Sequence, residues 1–170
     1  MVLPLRFRPD PVLSRKAPRV KKVDAAIRRL IDDMLETMHH NHGVGLAANQ
    51  VGRLQRVAVI QLPEQEPIVL INPRIIQREG EREVEEGCLS IPGYQGLVKR
   101  SVKVCVSAED VNGRPFRIEA ENDLLAQALE HEIDHLDGVL YVQRLVNRDS
   151  FWKLEPEPEA EGAQAGPHQP

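Results

Sequence analysis

The sequence has few cysteines, few aromatic residues and no long apolar segment. Its two cysteines, Cys88 and Cys105, are few for a chain of 170 residues, which can bury enough surface to fold without disulfides. We therefore expect two reduced thiols in a cytoplasmic protein. No window approaches the roughly 18 apolar residues of a membrane-spanning helix, and the first ten residues lack the apolar centre of a signal peptide. We expect neither secretion nor membrane insertion.

The sequence also lacks an excess of positive charge. It has 22 Lys and Arg residues against 26 Asp and Glu residues, and the net charge of −4 arises from four glutamates between residues 155 and 161. Residues 1–154 therefore carry 22 charges of each sign. Because sequence-independent nucleic-acid binding relies on cations that neutralise phosphates, we expect no direct binding of DNA or RNA.

The composition is that of an ordinary soluble domain with an aliphatic core. Hydrophobic residues make up 41% of the chain and charged residues 28%, whereas aromatic residues make up only 4%. We predict a single catalytic domain over residues 1–154. Residues 155–170 are rich in Pro, Glu, Ala and Gly and contain nothing that builds a core, so we predict a disordered acidic tail.

Two helices and several strands are predicted. Asp24 is a candidate N-cap, and the apolar spacing after it predicts a helix to about Asn41. Asp123 precedes a second helix over Leu124 to Leu136. Asn112-Gly113 is a hairpin signal. We predict strands at 56–62, 68–71, 75–86 with a turn at Glu79-Gly80, 98–108, 115–120 and 139–142, with a last turn near 148–154. This order indicates an α+β fold with mainly antiparallel sheets.

The second helix contains the pattern H-E-x-x-H at His131-Glu132-Ile133-Asp134-His135. Four residues advance a helix by about 400°, so both histidines lie on one face and their ring nitrogens can reach one cation. Glu132 lies about 100° away, beside this cation site, where it can take a proton from water. The alternative is a solvated helix face. Leu124 and Ala128 share the histidine face, which favours an inward orientation.

A catalytic site with one open position needs a third protein ligand, and three residues are candidates. Tyr141 stands at the spacing of metzincin proteases, but its phenol has a pKa of about 10. Glu155 stands where other zinc proteases place a glutamate, but it opens the tail and lacks fixed support. Cys88 follows a glycine in a loop-like segment, and its thiolate would bind a divalent cation strongly. Cys88 is the best candidate chemically, whereas Cys105 is interpreted as buried core.

The segment from Gly43 to Gln50 follows the first helix and contains two glycines one residue apart. Such glycines allow a ligand to approach the backbone closely. A Rossmann phosphate loop follows a strand, so nucleotide binding is not favoured here. The side-chain N–H of Gln50 is a candidate donor to a developing oxyanion. The preceding histidines, His39, His40 and His42, are interpreted as a polar cap of the helix C-terminus.

Three segments together resemble the signature motifs of the peptide deformylase family: Gly43-Val44-Gly45-Leu46-Ala47-Ala48-Asn49-Gln50, Glu86-Gly87-Cys88-Leu89-Ser90 and His131-Glu132-Ile133-Asp134-His135. They occur in that family's order and with similar separations. The resemblance implies an α+β domain, mainly antiparallel, around a central H-E-x-x-H helix. It also implies a metal-dependent hydrolase that removes the N-formyl group from the N-terminal methionine of nascent polypeptides and releases formate.

The resemblance implies roles for individual residues. Cys88, His131 and His135 would hold the metal, and Glu132 would be the acid/base residue. Gln50 and the backbone N–H of Leu89 would stabilise the oxyanion. The peptide would lie as an added strand beside the glycine motif and the segment after the cysteine. The implied substrate-binding residues are Gly43, Val44, Gly45, Leu89, Ile91 and Ala128.

The resemblance also implies the cofactor and the partners. We expect one divalent metal per chain, Fe²⁺ in the cell, with Zn²⁺, Ni²⁺ or Co²⁺ as substitutes. The partners are N-formylmethionyl peptides, with transient proximity to the ribosome, and an acidic tail should not dock on ribosomal RNA. Two alternatives stay open: an H-E-x-x-H metalloprotease, and a structural metal-binding domain without catalysis. The structural alternative would need a fourth ligand from Cys105, His39, His40, His42 or His168.

Overall fold

Two antiparallel sheets and two helices make up residues 1–155, the part of the chain that this computed structural model describes. The helices are α1 (Ala25–His40) and α2 (Leu124–Leu136). The strands are β1 (Gly45–Ala47), β2 (Val57–Ile60), β3 (Ile68–Glu79), β4 (Arg82–Cys88), β5 (Ile91–Arg100), β6 (Lys103–Glu109), β7 (Pro115–Glu121) and β8 (Phe151–Lys153). Short 3-10 helices lie at Pro11–Ser14, Ala48–Val51 and Tyr141–Gln143.

The strand order confirms the predicted α+β class. One sheet has the order β1-β2-β3-β6-β7, the other has the order β4-β5-β8, and every strand pair is antiparallel. The chain turns between β3 and β4 at Glu79-Gly80, as predicted. The predicted acidic tail from residue 156 onward lies outside the described residues. No helix among residues 1–155 is long and apolar enough to span a bilayer.

Helix α2 lies at the centre of the domain. Its N-cap is the predicted Asp123, whose side chain accepts a hydrogen bond of 2.8 Å from the N–H of Ala126. Every residue from Ala126 to Leu136 is buried. The predicted inward stripe is confirmed from Ala128 onward, but Leu124, in the first turn of the helix, is 40% exposed.

Strand β2 separates two hydrophobic cores. Ala58 and Ile60 face the core that surrounds α2, whereas Val57 and Val59 face the core that contains the apolar side of α1. Because successive side chains of a strand point to opposite faces, four residues connect the two cores. Strand β1 pairs with β2 at the edge of this sheet, which places the glycine motif between the helices.

The predicted strand over residues 98–108 is wrong, because it is two strands in different sheets. Strand β5 ends at Arg100, and β6 begins at Lys103. The N–H of Ser101 donates to Oε1 of the buried Glu130 at 2.6 Å, and the N–H of Val102 donates to the carbonyl of Glu79. These two bonds redirect the chain, although valine alternates on both sides of the break.

Two smaller predictions near the C-terminal end are also wrong. Residues 139–142 form no strand; instead Tyr141–Gln143 is a 3-10 helix, because the side chain of Gln143 accepts from the N–H of Leu140 at 2.9 Å. The predicted last turn contains β8, which pairs with β5. The hairpin at Asn112-Gly113 is confirmed, but its loop runs from Asp110 to Arg114 and is closed by the Asp110 side chain.

Candidate metal centre

Three potential ligand atoms meet in the interior: Cys88 Sγ, His131 Nε2 and His135 Nε2. The two histidine nitrogens are 3.0 Å apart, and the sulfur is 3.3 Å from that of His135. Each of the three residues is at most 1% exposed. Among residues 1–155, they form the one group of three or more His, Cys, Asp or Glu side chains close enough to share an ion.

Separate elements position these ligands. The two histidines project from α2 one turn apart, and their rings meet edge to face with centroids 4.7 Å apart. Cys88 ends β4, where Leu89 and Ser90 form the turn into β5 and Cys88 pairs with Ile91. The thiol is held there because the N–H of Ser90 donates to it at 3.4 Å. The sequence spacing therefore sets the histidines, and the hairpin brings the cysteine to them.

The donor set fits a divalent cation. A tetrahedral ion would separate the nitrogens by about 3.3 Å and each nitrogen from sulfur by about 3.6 Å, close to the observed distances. The Glu86 carboxylate accepts a hydrogen bond of 2.6 Å from Nδ1 of His131, which leaves Nε2 directed toward the other ligands. Nδ1 of His135 is buried without a hydrogen-bond partner among the described residues.

The electrostatics of the two histidines also favour a positive charge between them. Burial opposes protonation of His131, but the Glu86 and Glu132 carboxylates raise its pKa well above the usual range. Burial and the neighbouring charge of His131 lower the pKa of His135. A single positive charge is therefore stabilised beside the two rings, which is the place where a metal ion would replace a proton.

Glu132 is fully buried beside the ligands, and neither of its carboxylate oxygens has a hydrogen-bond partner among residues 1–155. Burial raises the pKa of Glu132 to about 7. Its carboxylate lies over the backbone of Gly45, because a methyl group at that glycine would overlap Oε2 and Cδ of Glu132. Gly45 therefore provides the space in which the carboxylate lies. A buried carboxyl with a pKa near neutrality is suited to accept and return a proton.

Gln50 lies against the cysteine. Its Nε2 donates to Ser90 Oγ at 3.1 Å and lies 3.4 Å from Cys88 Sγ, while its Oε1 accepts from the N–H of Ala47. The Gln50 amide is thus held at its oxygen by Ala47 and at its nitrogen by Ser90. Gln50 therefore lies beside Cys88, and Leu89 follows Cys88 in the turn into β5.

Sequence reasoning missed a buried charge network behind the histidines. Arg100 donates to both oxygens of Glu86 at 2.7 Å and to Oδ2 of Asp134 at 2.7 Å. Burial alone would raise the pKa of Glu86, but Arg100 and His131 lower it to about 2. Arg144 also donates to Asp134. Glu86 belongs to the cysteine motif, and Asp134 belongs to the H-E-x-x-H motif. Their closeness in sequence to the proposed ligands was the one signal that could have identified them.

Within residues 1–155, the other candidate ligands do not belong to the cluster of Cys88, His131 and His135. Glu155 is exposed at the end of the described chain, and Cys105 is a free buried thiol on β6, as predicted. Tyr141 is buried and stacks on His131 with ring centroids 6.4 Å apart. Burial raises the pKa of its phenol further above 10, so the phenol is neutral. His39, in the last turn of α1, bonds to Gln61 and belongs to no ligand cluster among residues 1–155.

The residues expected to bind substrate lie on two sides of the ligands. Val44 precedes β1, and Gly45 is its first residue. The outer edge of β1 pairs with no strand among the described residues, and Ile91 begins β5. A depression of about 330 Å³ adjoins Gly43 and Val44. Ala128 lies one turn before His131 but is fully buried in the core around α2.

Comparisons with known proteins identify a family to which the chain is similar. The family model described as polypeptide deformylase matches residues 2–151. A peptide deformylase of Dehalococcoides mccartyi is 47% identical over 152 residues, 89% of this chain and 90% of that protein. A peptide deformylase of Alkalilimnicola ehrlichii is 51% identical over 147 residues, 85% of this chain and 82% of its own.

Solved structures share the fold. The chain superposes on a peptide deformylase from Synechococcus elongatus in complex with actinonin with a TM-score of 0.83 and 47% identity, covering 87% of this chain and 81% of that one. The corresponding values for a peptide deformylase from Legionella pneumophila are 0.82, 44%, 85% and 86%. The chain therefore belongs to the polypeptide deformylase family, metal-dependent hydrolases that remove the N-formyl group from nascent polypeptides.

Proposed function

We propose that Cys88, His131 and His135 hold the metal of this deformylase and that Glu132 is its acid/base residue. The observation that supports this assignment most directly is the meeting of three buried ligand atoms beside a carboxylate without a hydrogen-bond partner among residues 1–155. A divalent cation held there would polarise the formyl carbonyl and lower the pKa of water from about 15.7 toward about 7.

Glu132 moves the proton in this proposal. Its carboxylate accepts the proton of the attacking water, and the same oxygen returns it to the amine that leaves when the formyl C–N bond breaks. Burial raises the pKa of this carboxyl, which favours the protonated form that the return step needs. Because Gly45 has no side chain, the carboxylate stays over the backbone next to the ligands and needs no rearrangement between the two transfers.

Gln50 and Leu89 stabilise the negative charge that develops on the formyl oxygen. The Gln50 amide is held 3.4 Å from Cys88 Sγ, and the N–H of Leu89 belongs to the turn that follows Cys88. Losing one such donor typically lowers the rate about 10²- to 10³-fold. We place the formylmethionyl peptide as an added strand along Gly43 to Gly45, facing Leu89 to Ile91, with Ala128 beneath the methionine pocket.

The native metal is proposed to be Fe²⁺, with Zn²⁺, Ni²⁺ or Co²⁺ as substitutes. Two imidazoles and one thiolate suit all four ions, so the ligand types support a transition metal rather than Mg²⁺ or Ca²⁺. We also propose that residues 1–154 are one catalytic domain and that the protein acts in the cytoplasm. The glutamates of residues 155–161 give the tail a negative charge, so we infer no tail-mediated docking on ribosomal RNA.

The test is formate release from formyl-Met-Ala-Ser by protein purified without oxygen, with the metal content measured on the same sample. We expect about one metal per chain and formate as the product. Cys88→Ser should lose most of the metal, whereas the matched Cys105→Ser should keep it, since both thiols are buried but only one faces the histidines. Cleavage of an internal peptide bond instead of formate release would favour a protease. Full metal content without turnover would favour a structural site.

A further inference from the structure

The positive charges of the chain are concentrated in its first 23 residues. This segment has seven Lys and Arg residues and one acidic residue, Asp10. Because residues 1–154 carry 22 charges of each sign, the segment has a net charge of +6 and residues 24–154 have a net charge of −6. The balanced charge of the body is thus an average over a basic segment and an acidic remainder. The expectation that the chain binds no DNA or RNA rested on this average, which does not exclude a local basic surface.

The basic segment is fixed to the domain by backbone hydrogen bonds. The N–H of Ala17 donates to the carbonyl of Leu136 at 2.7 Å, and the N–H of Arg56 donates to the carbonyl of Pro18. The side chain of Asn72 bonds both backbone groups of Val20, at 2.7 and 2.9 Å. Ala17 and Val20 are buried, so the cations between and beside them point outward from an ordered backbone.

These cations line a shallow depression that we call the basic groove. It consists of two adjoining hollows of about 480 and 400 Å³, which share Arg19, Asn72 and Arg74. The charged residues that line it are Lys16, Arg19, Arg56, Arg74 and Glu109. The lining of the groove therefore contains four positive side chains and one negative side chain.

Internal ion pairs compensate only part of this charge. Arg19 pairs with Glu109 at 3.1 Å, and Arg56 pairs with Asp137 at 2.9 Å. Within residues 1–155, Lys16 and Arg74 form no ion pair, and both are exposed. Arg56 also donates to the carbonyls of Pro73 and Leu136, and its side chain is only 13% exposed, so the domain itself holds it. Lys16, Arg74 and the exposed Arg19 remain available for an anionic partner.

We propose that the basic groove binds the phosphodiester backbone of ribosomal RNA. Lys and Arg are the side chains that neutralise phosphates, and the guanidinium group bonds phosphate through two parallel N–H donors. None of the exposed large apolar side chains of residues 1–155 lines the groove, which disfavours insertion into a lipid surface. The proposal rests on the deformylase function, because nascent chains are presented by a particle whose surface is rich in RNA.

The test compares two triple variants that lose the same charge. The groove variant is Lys16→Gln/Arg19→Gln/Arg74→Gln, and the control is Lys99→Gln/Arg148→Gln/Lys153→Gln, which alters exposed cations outside the groove. Binding of the full chain to purified ribosomes is measured by sedimentation over a range of KCl. At about 0.1 M salt the groove variant should bind at least about tenfold more weakly, with a slope of log K against log salt reduced by about 2 to 3. The control should stay within about twofold of wild type.

Equal ribosome binding by the two variants would overturn the proposal, and so would no binding by wild type. Loss of binding only to phosphatidylglycerol vesicles would assign the groove to a membrane surface instead. Formate release from the free tripeptide should stay unchanged in both variants. Because this assay contains no ribosomes, a wild-type protein that releases no formate would refute the deformylase function separately from the binding proposal. If the groove variant loses this activity through misfolding, Lys16→Gln/Arg74→Gln must show the weaker binding, because it changes only the two exposed groove cations that form no ion pair within residues 1–155.

Discussion

Gly45→Ala should inactivate the enzyme while leaving its metal in place. The added methyl group would overlap Oε2 and Cδ of Glu132 and lie 3.1 Å from Cγ. The φ angle of Gly45 lies outside the left-handed region, so alanine fits the backbone, and the three atoms nearest to the added methyl group all belong to Glu132. The Glu132 carboxylate must then rotate away, and it gives up no hydrogen bond within residues 1–155 by doing so.

The size of the effect follows from these contacts. Overpacking of this kind costs roughly 1–3 kcal/mol of unfolding free energy, which a folded domain tolerates. A displaced general acid/base group costs about 10²- to 10⁴-fold in rate. We therefore expect kcat to fall at least about 10²-fold. KM should change little, because the methyl group points at Glu132 and not along the edge of β1.

The assay is formate release at saturating formyl-Met-Ala-Ser, with metal content measured in parallel. Gly113→Ala is the control: a Cβ there meets nothing within 4 Å, but the φ of +74° strains an alanine, so this variant loses stability without a new contact at Glu132. Introducing Gly45→Ala into a Glu132→Gln background should change the residual rate less than about twofold, since both changes disable one group. A kcat of Gly45→Ala within about threefold of wild type would refute the reasoning. A double variant whose rate falls by the product of the two single effects would refute it as well.

Three further predictions concern the residues around the ligands. Gln50→Ala should lower kcat about 10²- to 10³-fold at unchanged metal content, measured by formate release; an effect on KM alone would contradict its role at the oxyanion. Glu86→Gln should weaken metal binding about 10- to 100-fold in a chelator titration, and should cost about 3–5 kcal/mol in chemical denaturation because Arg100 loses a buried partner. The iron-loaded enzyme should lose activity faster in air than under nitrogen, through oxidation of Fe²⁺ or of the Cys88 thiolate, and the zinc-loaded enzyme should lose it more slowly. Equal half-lives for iron in both atmospheres would contradict this.

The helical part of the site follows from local sequence. The spacing of His131 and His135 on a well-capped helix is enough to place both rings on one side, and the structure confirms it. Cys88 could be selected by ligand chemistry, but its distance from the histidines depends on how β4 and β5 pair, which a single sequence does not specify. Local periodicity also failed at Ser101, where a hydrogen bond to Glu130, 29 residues away, divides an alternating segment into two strands.

The supporting contacts were beyond prediction because they join distant segments. Arg100 meets Glu86 across the β4–β5 hairpin and Asp134 on α2, and nothing in the local pattern distinguishes it from a surface arginine. The space that Gly45 leaves for Glu132 depends on the approach of β1 to α2, so the glycine motif alone predicted close backbone approach but not its partner. Charge totals likewise concealed the basic groove, since opposite charges lie in different parts of the body.

The most direct test of the central claim is the rate of formate release by Glu132→Gln at full metal occupancy. Glutamine keeps the size of the side chain but cannot accept the proton of the attacking water. We predict about one metal per chain, as in wild type, and a rate at least about 10²-fold lower. Undiminished release of formate by the metal-loaded variant would contradict the assignment of Glu132 as the acid/base group of this enzyme.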